Sequence, residues 1–213
     1  MFMSRKFMIL TALLLFSLVS VVGCSATKSG TSQQTDQQAA KNSTESSNPS
    51  QVQKPDSQAA FLNEIAQSAL QGKTINCEFA VETTVIETVE QKWGDPDKLE
   101  YIAAAKGRYA TYAKHNAAFG INKGEQIFDV RSYDDRLKEL KISKVKEVLG
   151  IPVNIHNYET EDMLVYKAGE KYQLLFIFPK ATGQNPDPQL DHYNVFYPQG
   201  TVNSMANDPG IKY

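Results

Sequence analysis

The chain has 213 residues, with 22 Lys and Arg against 24 Asp and Glu, so its net charge is −2 at pH 7. This near balance argues against a dedicated nucleic-acid-binding protein, which would carry a strongly basic surface. Aromatic residues make up 10% of the chain, which excludes a wholly disordered or fibrous protein. Two cysteines are too few for a disulfide-rich scaffold or a four-thiolate zinc site.

The first residues carry the pattern of an exported, lipid-modified protein. Arg5 and Lys6 precede an uncharged, largely apolar run from Phe7 to Gly23, which is typical of a signal peptide. A transmembrane helix would need about 20 apolar residues, slightly more than this run offers. The motif Val-Val-Gly-Cys at its end resembles the lipobox of bacterial lipoproteins, with cleavage after Gly23 and a lipid on Cys24. The sequence therefore predicts a signal peptide over residues 1–23.

Residues 24–57 are expected to hold the lipid-modified Cys24 and a flexible linker. Most of the residues between Cys24 and the globular part are Ser, Thr, Gln or Asn. Such a segment cannot bury enough apolar surface to offset its ordering entropy. The globular domain, residues 58–213, is therefore expected on the outer face of the cell membrane. A plain secreted protein and an uncleaved anchor are the alternatives. Cys77 then has no partner and is interpreted as a small buried hydrophobe.

The globular part begins with a predicted helix. Apolar residues recur at helical spacing from Phe61 to Leu70. Ser57 is the expected N-cap, because its hydroxyl can accept a hydrogen bond from a free backbone N–H. Gly72 is the expected stop, because Gly tolerates the left-handed exit conformation.

Two later segments match each other at a constant offset along the chain. The matched pairs are apolar residues at helical spacing followed by Gly and Pro: Ile86 and Ile142, Val89 and Val145, Trp93 and Leu149, Gly94 and Gly150, Pro96 and Pro152. Each segment therefore predicts a short helix with one apolar stripe that ends at its Gly. Thr84 and Glu87 have capping-box spacing, and Ser143 is interpreted as the cap of the second helix.

Four strand-like runs follow each of these helices. They are rich in Tyr, Phe, Val and Ile, which suit a half-buried pleated surface. The runs cover residues 98–103, 108–113, 117–122 and 126–133, then 153–158, 163–167, 172–178 and 191–197. The prediction is an α+β fold, in which an N-terminal helix precedes two repeats of a helix and a four-stranded antiparallel meander. Repeat one would span residues 73–140 and repeat two residues 141–200, and residues 180–190 predict a long projecting loop.

Five motifs in the globular part resemble a known family. They are Lys-Trp-Gly-Asp-Pro at 92–96, Gly-Arg-Tyr-Ala-Thr-Tyr at 107–112, Phe-Gly-Ile-Asn-Lys-Gly at 119–124, Ile-Phe-Asp-Val-Arg-Ser-Tyr at 127–133 and Asp-His-Tyr-Asn-Val-Phe-Tyr-Pro at 191–198. In this order they resemble the YjgB-like family of uncharacterised exported proteins of Gram-positive bacteria. The resemblance brings no catalytic residue, because the family has no known function. The half-repeat also resembles modules of the β-lactamase inhibitor protein and of the lipoprotein BamE, which implies a sheet that binds other proteins.

The globular part has no recognisable motif for catalysis, metal binding or cofactor binding. No His-Glu-x-x-His pair, phosphate loop or nucleophile elbow occurs. The histidines are widely spaced: His115, His156 and His192. The clustered acids are interpreted as solvated turn residues rather than as a general acid–base pair: Asp134, Asp135, Glu159, Glu161 and Asp162. Catalytic residues, a metal and a cofactor are therefore not expected.

The expected binding surface is an aromatic sheet face beside the 180–190 loop. Its candidate residues are Tyr172, Phe176, Phe196, His192 and Tyr193. Tyr and Phe favour the cores of binding surfaces, but the run 172–178 is apolar on both faces, so the alternative is a central strand buried on both sides. His192 is either a polar contact at this surface or a rim residue satisfied by the adjacent loop.

The expected function is that of a monomeric, non-catalytic lipoprotein that binds an unknown envelope or secreted protein, as an enzyme inhibitor or an assembly factor. Two other classes stay open. An enzyme acting on cell-wall polymers would need a cleft with converging ionisable groups. A small-ligand carrier would need an apolar pocket of several hundred cubic ångströms.

Overall fold

The computed structural model describes residues 56–213. The helices are α1 (Ser57–Ala69), α2 (Ile86–Trp93) and α3 (Ile142–Leu149). The strands are β1 (Lys98–Ile102), β2 (Gly107–Tyr112), β3 (Ala117–Ile121), β4 (Ile127–Ser132), β5 (Asn154–Asn157), β6 (Glu161–Ala168), β7 (Tyr172–Pro179) and β8 (His192–Phe196). The signal peptide predicted over residues 1–23, Cys24 and the linker as far as residue 55 lie outside the described residues. Within residues 56–213, none of the helices combines the length and the apolar character that crossing a membrane requires.

The eight strands form one antiparallel sheet with the order β1-β2-β3-β4-β8-β7-β6-β5. The strands β1–β4 follow α2 along the chain, and the strands β5–β8 follow α3. The two groups join through β4 and β8, where Val130 lies opposite Val195. The predicted α+β class is confirmed, and each strand begins and ends within two residues of its predicted bounds. The outer edges of the sheet are therefore β1 and β5.

The first helix begins at a different cap from the predicted one. Asp56 caps α1, because its Oδ1 accepts hydrogen bonds from the N–H groups of Gln58 at 3.0 Å and Ala59 at 3.1 Å. Ser57 is the first helical residue, so the prediction of Ser57 as the N-cap is wrong. A carboxylate at this position also interacts favourably with the positive end of the helix dipole.

The two later helices end as predicted, but α2 does not begin as predicted. Each ends at a Gly with positive φ, Gly94 at +84° and Gly150 at +78°. No side chain caps α2. The Thr84 carbonyl accepts a hydrogen bond from the Ile127 N–H at 2.9 Å, which keeps this segment extended beside β4. The predicted capping box between Thr84 and Glu87 therefore does not form.

The sheet has two faces, because successive side chains of a strand point to opposite sides. The first face carries Phe119, Phe176 and Tyr193, which pack with apolar residues of all three helices in the main core. The second face carries a smaller core around Val165 and Phe196. The last residues of the chain pack against this second core.

Candidate functional site

Three of the five residues predicted to bind a partner lie in the interior. Phe176, Tyr193 and Phe196 are buried. Their strands, β7 and β8, each have a neighbouring strand on both sides, and both sheet faces are covered at this point. The prediction of an exposed aromatic face is therefore wrong, and the central-strand alternative is correct. Phe176 and Tyr193 also lie on the first face and Phe196 on the second, so the three do not share a surface.

The other two predicted residues are partly buried and have local partners. The Tyr172 hydroxyl donates a hydrogen bond to Glu82 Oε2 at 2.7 Å, and burial raises the pKa of Tyr172 to about 12. His192 Nδ1 lies 2.8 Å from Asp191 Oδ2, and Lys138 Nζ lies 3.0 Å from the other carboxylate oxygen of Asp191. The His192 hydrogen bond, together with Lys138, holds the pKa of Asp191 far below its usual range despite partial burial. His192 is thus a rim residue satisfied by its neighbour.

The connection between β7 and β8 is fastened to α3 and does not project along its whole length. The Asp187 carboxylate accepts hydrogen bonds from the Ser143 N–H at 2.9 Å and from the Ser143 hydroxyl at 2.7 Å. Asp187 therefore caps α3, and the interpretation of Ser143 as the cap is wrong. Leu190 is fully buried, and its N–H donates to the Leu140 carbonyl at 2.8 Å. Residues 182–186 form the exposed tip of the loop.

One of the clustered acids holds the base of this loop. Asp162 was expected in a solvated turn, but it is buried on β6. Its carboxylate accepts hydrogen bonds from Lys180 Nζ at 2.7 Å and from the Ala181 N–H at 2.9 Å. Burial disfavours the charge of Asp162, but these two donors outweigh burial and lower its pKa. The Lys180 N–H donates to the Thr160 carbonyl at 3.0 Å, so the base of the loop rests on the β5–β6 turn.

Exposed apolar side chains lie on the outer strand β5 and next to both of its ends. Ile151 is 94% exposed, Val153 56%, Ile155 43% and Tyr158 42%. We call these four residues the β5-edge surface. The row runs from the end of α3, at Gly150, to the turn that supports the loop base. Ile155 lies opposite Leu164 on the first-face side of the sheet, whereas the Tyr158 ring stacks on His156 on the other side. Exposed apolar side chains grouped at one edge mark interaction sites more often than scattered ones do.

The opposite edge of the sheet is built differently. β1 also exposes large apolar side chains, Leu99 and Tyr101. Its Lys98 and Glu100, however, form an ion pair at 2.7 Å. Charged side chains on an edge strand discourage pairing with another chain. β5 has the sequence Asn-Ile-His-Asn and carries no Lys, Arg, Asp or Glu. There the Asn154 Oδ1 accepts a hydrogen bond from the Ile155 N–H at 2.9 Å.

A polar cluster lies on the second face of the sheet. The Tyr109 hydroxyl and Arg131 Nε both donate to Asp129 Oδ2, at 2.8 Å and 3.1 Å. The Arg131 guanidinium also lies 4.2 Å from the centre of the Tyr109 ring. Burial opposes the charge of Arg131, but the charge of Asp129 outweighs burial and raises the pKa of Arg131. Asn194 on β8 lies opposite Arg131 on β4, and Gln173 lies on the next strand, β7. We call these five residues the second-face cluster.

A cleft of about 520 Å³ opens between the β3–β4 turn and the last residues of the chain. Its lining includes Tyr101, Lys123 and the ion pair of Lys106 with Asp208. Within residues 56–213, Asp208 is the one carboxylate that lines this cleft. The side chains of the lining are mainly polar. The cleft therefore offers neither two converging acids nor the apolar pocket that a small-ligand carrier needs.

The thiol of Cys77 is free and buried, as predicted. Burial raises its pKa to about 12, so it stays protonated at neutral pH and is a poor nucleophile. Among the residues that the structure describes, no three His, Cys, Asp or Glu side chains are arranged to hold a metal ion.

Comparisons with known proteins identify the family of the chain and indicate no activity. A family model described as a domain of unknown function, DUF4309, matches residues 62–196. No curated protein matches the chain. The crystal structure of a DUF4309 family protein, YjgB from Bacillus subtilis subsp. subtilis str. 168, is similar at 17% identity, with a TM-score of 0.49 over 65% of this chain and 97% of that chain. The resemblance to the β-lactamase inhibitor protein and BamE stays a prediction. Because the family model covers more than half of its residues, the chain belongs to the DUF4309 family, as the YjgB resemblance predicted.

Proposed function

We propose that this chain is a lipid-anchored, non-catalytic binding protein of the cell envelope, and that it holds an extended segment of another envelope protein along the β5-edge surface. The observation that carries this proposal is the set of exposed apolar side chains from Ile151 to Tyr158 at an outer strand without Lys, Arg, Asp or Glu. The proposal keeps the predicted class of function and moves the binding surface away from the buried aromatic residues.

An outer strand recognises a partner in a specific way. Its free side can accept a further strand, with backbone hydrogen bonds supplying affinity and alternate side chains supplying specificity. Ile151, Val153 and Ile155 alternate with shorter or polar residues, so a partner strand with matching apolar residues would cover them. The ion pair between Lys98 and Glu100 sets β1 apart, because a partner strand there would have to desolvate two charges.

The membrane anchor is supported by the sequence of residues 1–24. A single acyl chain binds a membrane only weakly, whereas two chains hold a protein stably. A lipidated Cys24 followed by a polar linker with a span of roughly 30 Å would keep the globular domain near the outer face of the membrane. Cells grown with a labelled fatty acid should label the native full-length protein and not its Cys24→Ser variant. Equal labelling of the two, or no labelling of the native protein, would contradict the lipid anchor.

The non-catalytic part of the proposal is supported by the partners of the buried and half-buried acids. General acid–base chemistry requires a carboxyl group poised to exchange a proton with a substrate. Three of these acids instead form ion pairs with neighbouring cations: Asp129 with Arg131, Asp162 with Lys180, and Asp191 with Lys138.

We further propose that the two groups of strands are a tandem repeat, as the constant offset between the matched helix residues predicts. Both α2 and α3 have eight residues and end at a Gly with positive φ. An isolated antiparallel bridge precedes each helix at matching positions, at Val85 and at Lys141. These correspondences support a duplicated helix-and-meander unit of the kind that the inhibitor-protein resemblance implies.

Site-specific photo-crosslinking in intact cells tests the binding surface. A photoreactive amino acid would replace Val153 in the full-length protein, and a matched variant would carry it at Tyr101 on β1. The expected result is one discrete protein adduct from position 153 and none from position 101. Adducts of equal yield at both positions, or none at position 153, would contradict the proposal.

Binding measurements with the crosslinked partner, once purified, provide the quantitative test. Ile155→Lys should weaken its binding to the full chain at least about tenfold, which corresponds to about 1.4 kcal/mol. Tyr101→Lys serves as the matched control on the other edge and should leave the affinity unchanged. An unaffected affinity in Ile155→Lys would show that the partner binds elsewhere.

A further inference from the structure

The second-face cluster contains buried hydrogen-bond acceptors that no protein group satisfies. Asp129 is 2% exposed and Asn194 is 4% exposed. Asp129 Oδ1, Asn194 Oδ1 and Gln173 Oε1 are all buried without a hydrogen-bond partner in the described residues. Buried polar atoms are nearly always paired, because leaving one unpaired forfeits its hydration. The cluster therefore has a capacity to bind donor groups that the chain itself does not use.

The three free oxygens lie around one aromatic residue. Phe196 on β8 is opposite Asp129 on β4 and opposite Gln173 on β7. Asn194 lies two residues along β8, on the same face. Gly120 on β3 makes this arrangement possible, because a Cβ there would lie 2.8 Å from Asp129 and 2.9 Å from the Tyr109 ring. The site thus combines an apolar centre with acceptors on both sides.

The last residues of the chain cover this site. Residues 207–213, which we call the C-terminal segment, place Ile211 and Tyr213 against the second core. The Tyr213 ring lies 5.1 Å from the Phe196 ring, and the Tyr213 carbonyl accepts a hydrogen bond from Gln173 Nε2 at 3.1 Å. Lys212, between the two apolar residues, is exposed. The contacts are those of an extended peptide that presents every second side chain to a sheet.

Four polar contacts join the C-terminal segment to the rest of the described chain. Besides the Gln173 bond, the Asp208 N–H donates to the Asn203 carbonyl at 3.1 Å. The Ile211 N–H donates to Thr201 Oγ1 at 2.7 Å, and Asp208 pairs with Lys106. The segment lies beyond residue 196, where the match to the family ends. It therefore stands outside the matched family domain, and it lies on a face whose acceptors it leaves free.

We propose that the second-face cluster is a binding site for an extended peptide with an apolar and an aromatic residue two positions apart, and that the C-terminal segment occupies this site until such a peptide displaces it. The partner peptide would differ from the C-terminal segment by carrying N–H or ammonium donors that reach Asp129 Oδ1 and Asn194 Oδ1. This site is separate from the β5-edge surface, so either proposal can fail without the other.

Displacement by a synthetic peptide tests the proposal. The probe is a fluorescent copy of the C-terminal segment, Asn-Asp-Pro-Gly-Ile-Lys-Tyr, and its anisotropy is followed with the full-length protein. In the native chain the segment competes at a high effective concentration. The double variant Ile211→Ser, Tyr213→Ser should therefore bind the probe at least about tenfold more tightly than the native chain. A probe with Ser at the Ile and Tyr positions should not bind.

Two further measurements locate the binding. Adding Gln173→Leu to the double variant should abolish most of the gain, because the side-chain donor to the peptide carbonyl is lost. In the native full chain, excess probe should speed hydrogen exchange of the Ile211 amide, which holds even if the double variant fails to fold. Unchanged exchange at Ile211, or equal binding of the probe and its Ser-substituted control, would overturn the proposal.

Discussion

The two faces of the sheet differ in their side chains: the first is apolar, and the second combines apolar with charged and amide side chains. On the first face, Phe119, Phe176 and Tyr193 pack with three helices, and the side chains interlock in one continuous apolar core. On the second face, the buried Asp129 forms an ion pair with the half-buried Arg131, beside amides with free oxygens. A first-face substitution therefore loses packing, whereas a second-face substitution leaves a charge or a donor without its partner. The first face therefore stabilises the fold by apolar packing, whereas the second face does so partly through polar partners.

The largest expected effect is the loss of an aromatic ring from the first face. Phe176 is fully buried, and its ring centre lies 5.8 Å from that of Tyr166 and 6.0 Å from that of Tyr193. Phe176→Ala should lower the free energy of unfolding by about 4 kcal/mol, because the transfer energy of the ring is lost and a cavity remains. Urea unfolding followed by circular dichroism measures this loss. The exposed-residue control, Tyr101→Ala, should change the free energy by less than about 0.5 kcal/mol.

On the second face, the loss should depend on which partner remains. Asp129→Leu leaves the Arg131 guanidinium and the Tyr109 hydroxyl without their acceptor, and should lower the free energy of unfolding by about 3 kcal/mol. The double variant Asp129→Leu, Arg131→Met should recover most of that loss, because no uncompensated charge remains. A double-mutant cycle in urea measures the coupling. If the losses of the two single variants simply add in the double variant, the ion pair does not account for the loss of stability in Asp129→Leu.

The strands could be predicted from the sequence, because their signals are local. Runs of Tyr, Phe, Val and Ile between short turns placed all eight strands within two residues. The ends of α2 and α3 were likewise set by local Gly residues. The cap of α3 could not be predicted, because Asp187 lies 44 residues away from Ser143 along the chain. Thr84 is not the cap of α2 because the helix has Val85 as its N-cap, while the Thr84 carbonyl pairs with the Ile127 N–H.

The candidate surface was harder to predict than the strands, for a physical reason. β7 is apolar on both faces, and composition alone does not distinguish a central strand from an exposed aromatic one. The exposed residues at the β5 edge did have a signal, since Ile151, Val153 and Ile155 alternate along the sequence. That alternation indicates which residues share a face, but not whether a helix covers it. The free oxygens of Asp129 and Asn194 depend on strand pairing and gave no signal at all.

The base of the β7–β8 loop should show a pH-dependent contribution of intermediate size. The pKa of Asp162 is lowered in the folded protein, because Lys180 and the Ala181 N–H outweigh burial. Its stabilising effect is therefore present above the unfolded pKa of about 4 and is lost as the pH falls through the lower folded pKa. Asp162→Asn should lower the free energy of unfolding by about 2 kcal/mol at pH 7. The difference from the native protein should narrow below about pH 4; a constant difference across this range would contradict the assignment.

The smallest expected effect on stability is that of a substitution at the β5 edge. Because the fold should be unaffected, any change in partner binding can be assigned to the edge itself. Val153 is 56% exposed beside the outermost strand, so Val153→Lys should change the free energy of unfolding by less than about 0.5 kcal/mol. Urea unfolding of this variant should thus match that of the native chain. The lysine should nevertheless disfavour pairing with a further strand, as Lys98 does on β1. The affinity for the partner should therefore fall. A large loss of stability would mean that Val153 serves the fold, and the exposed row would then have to be explained as part of the core.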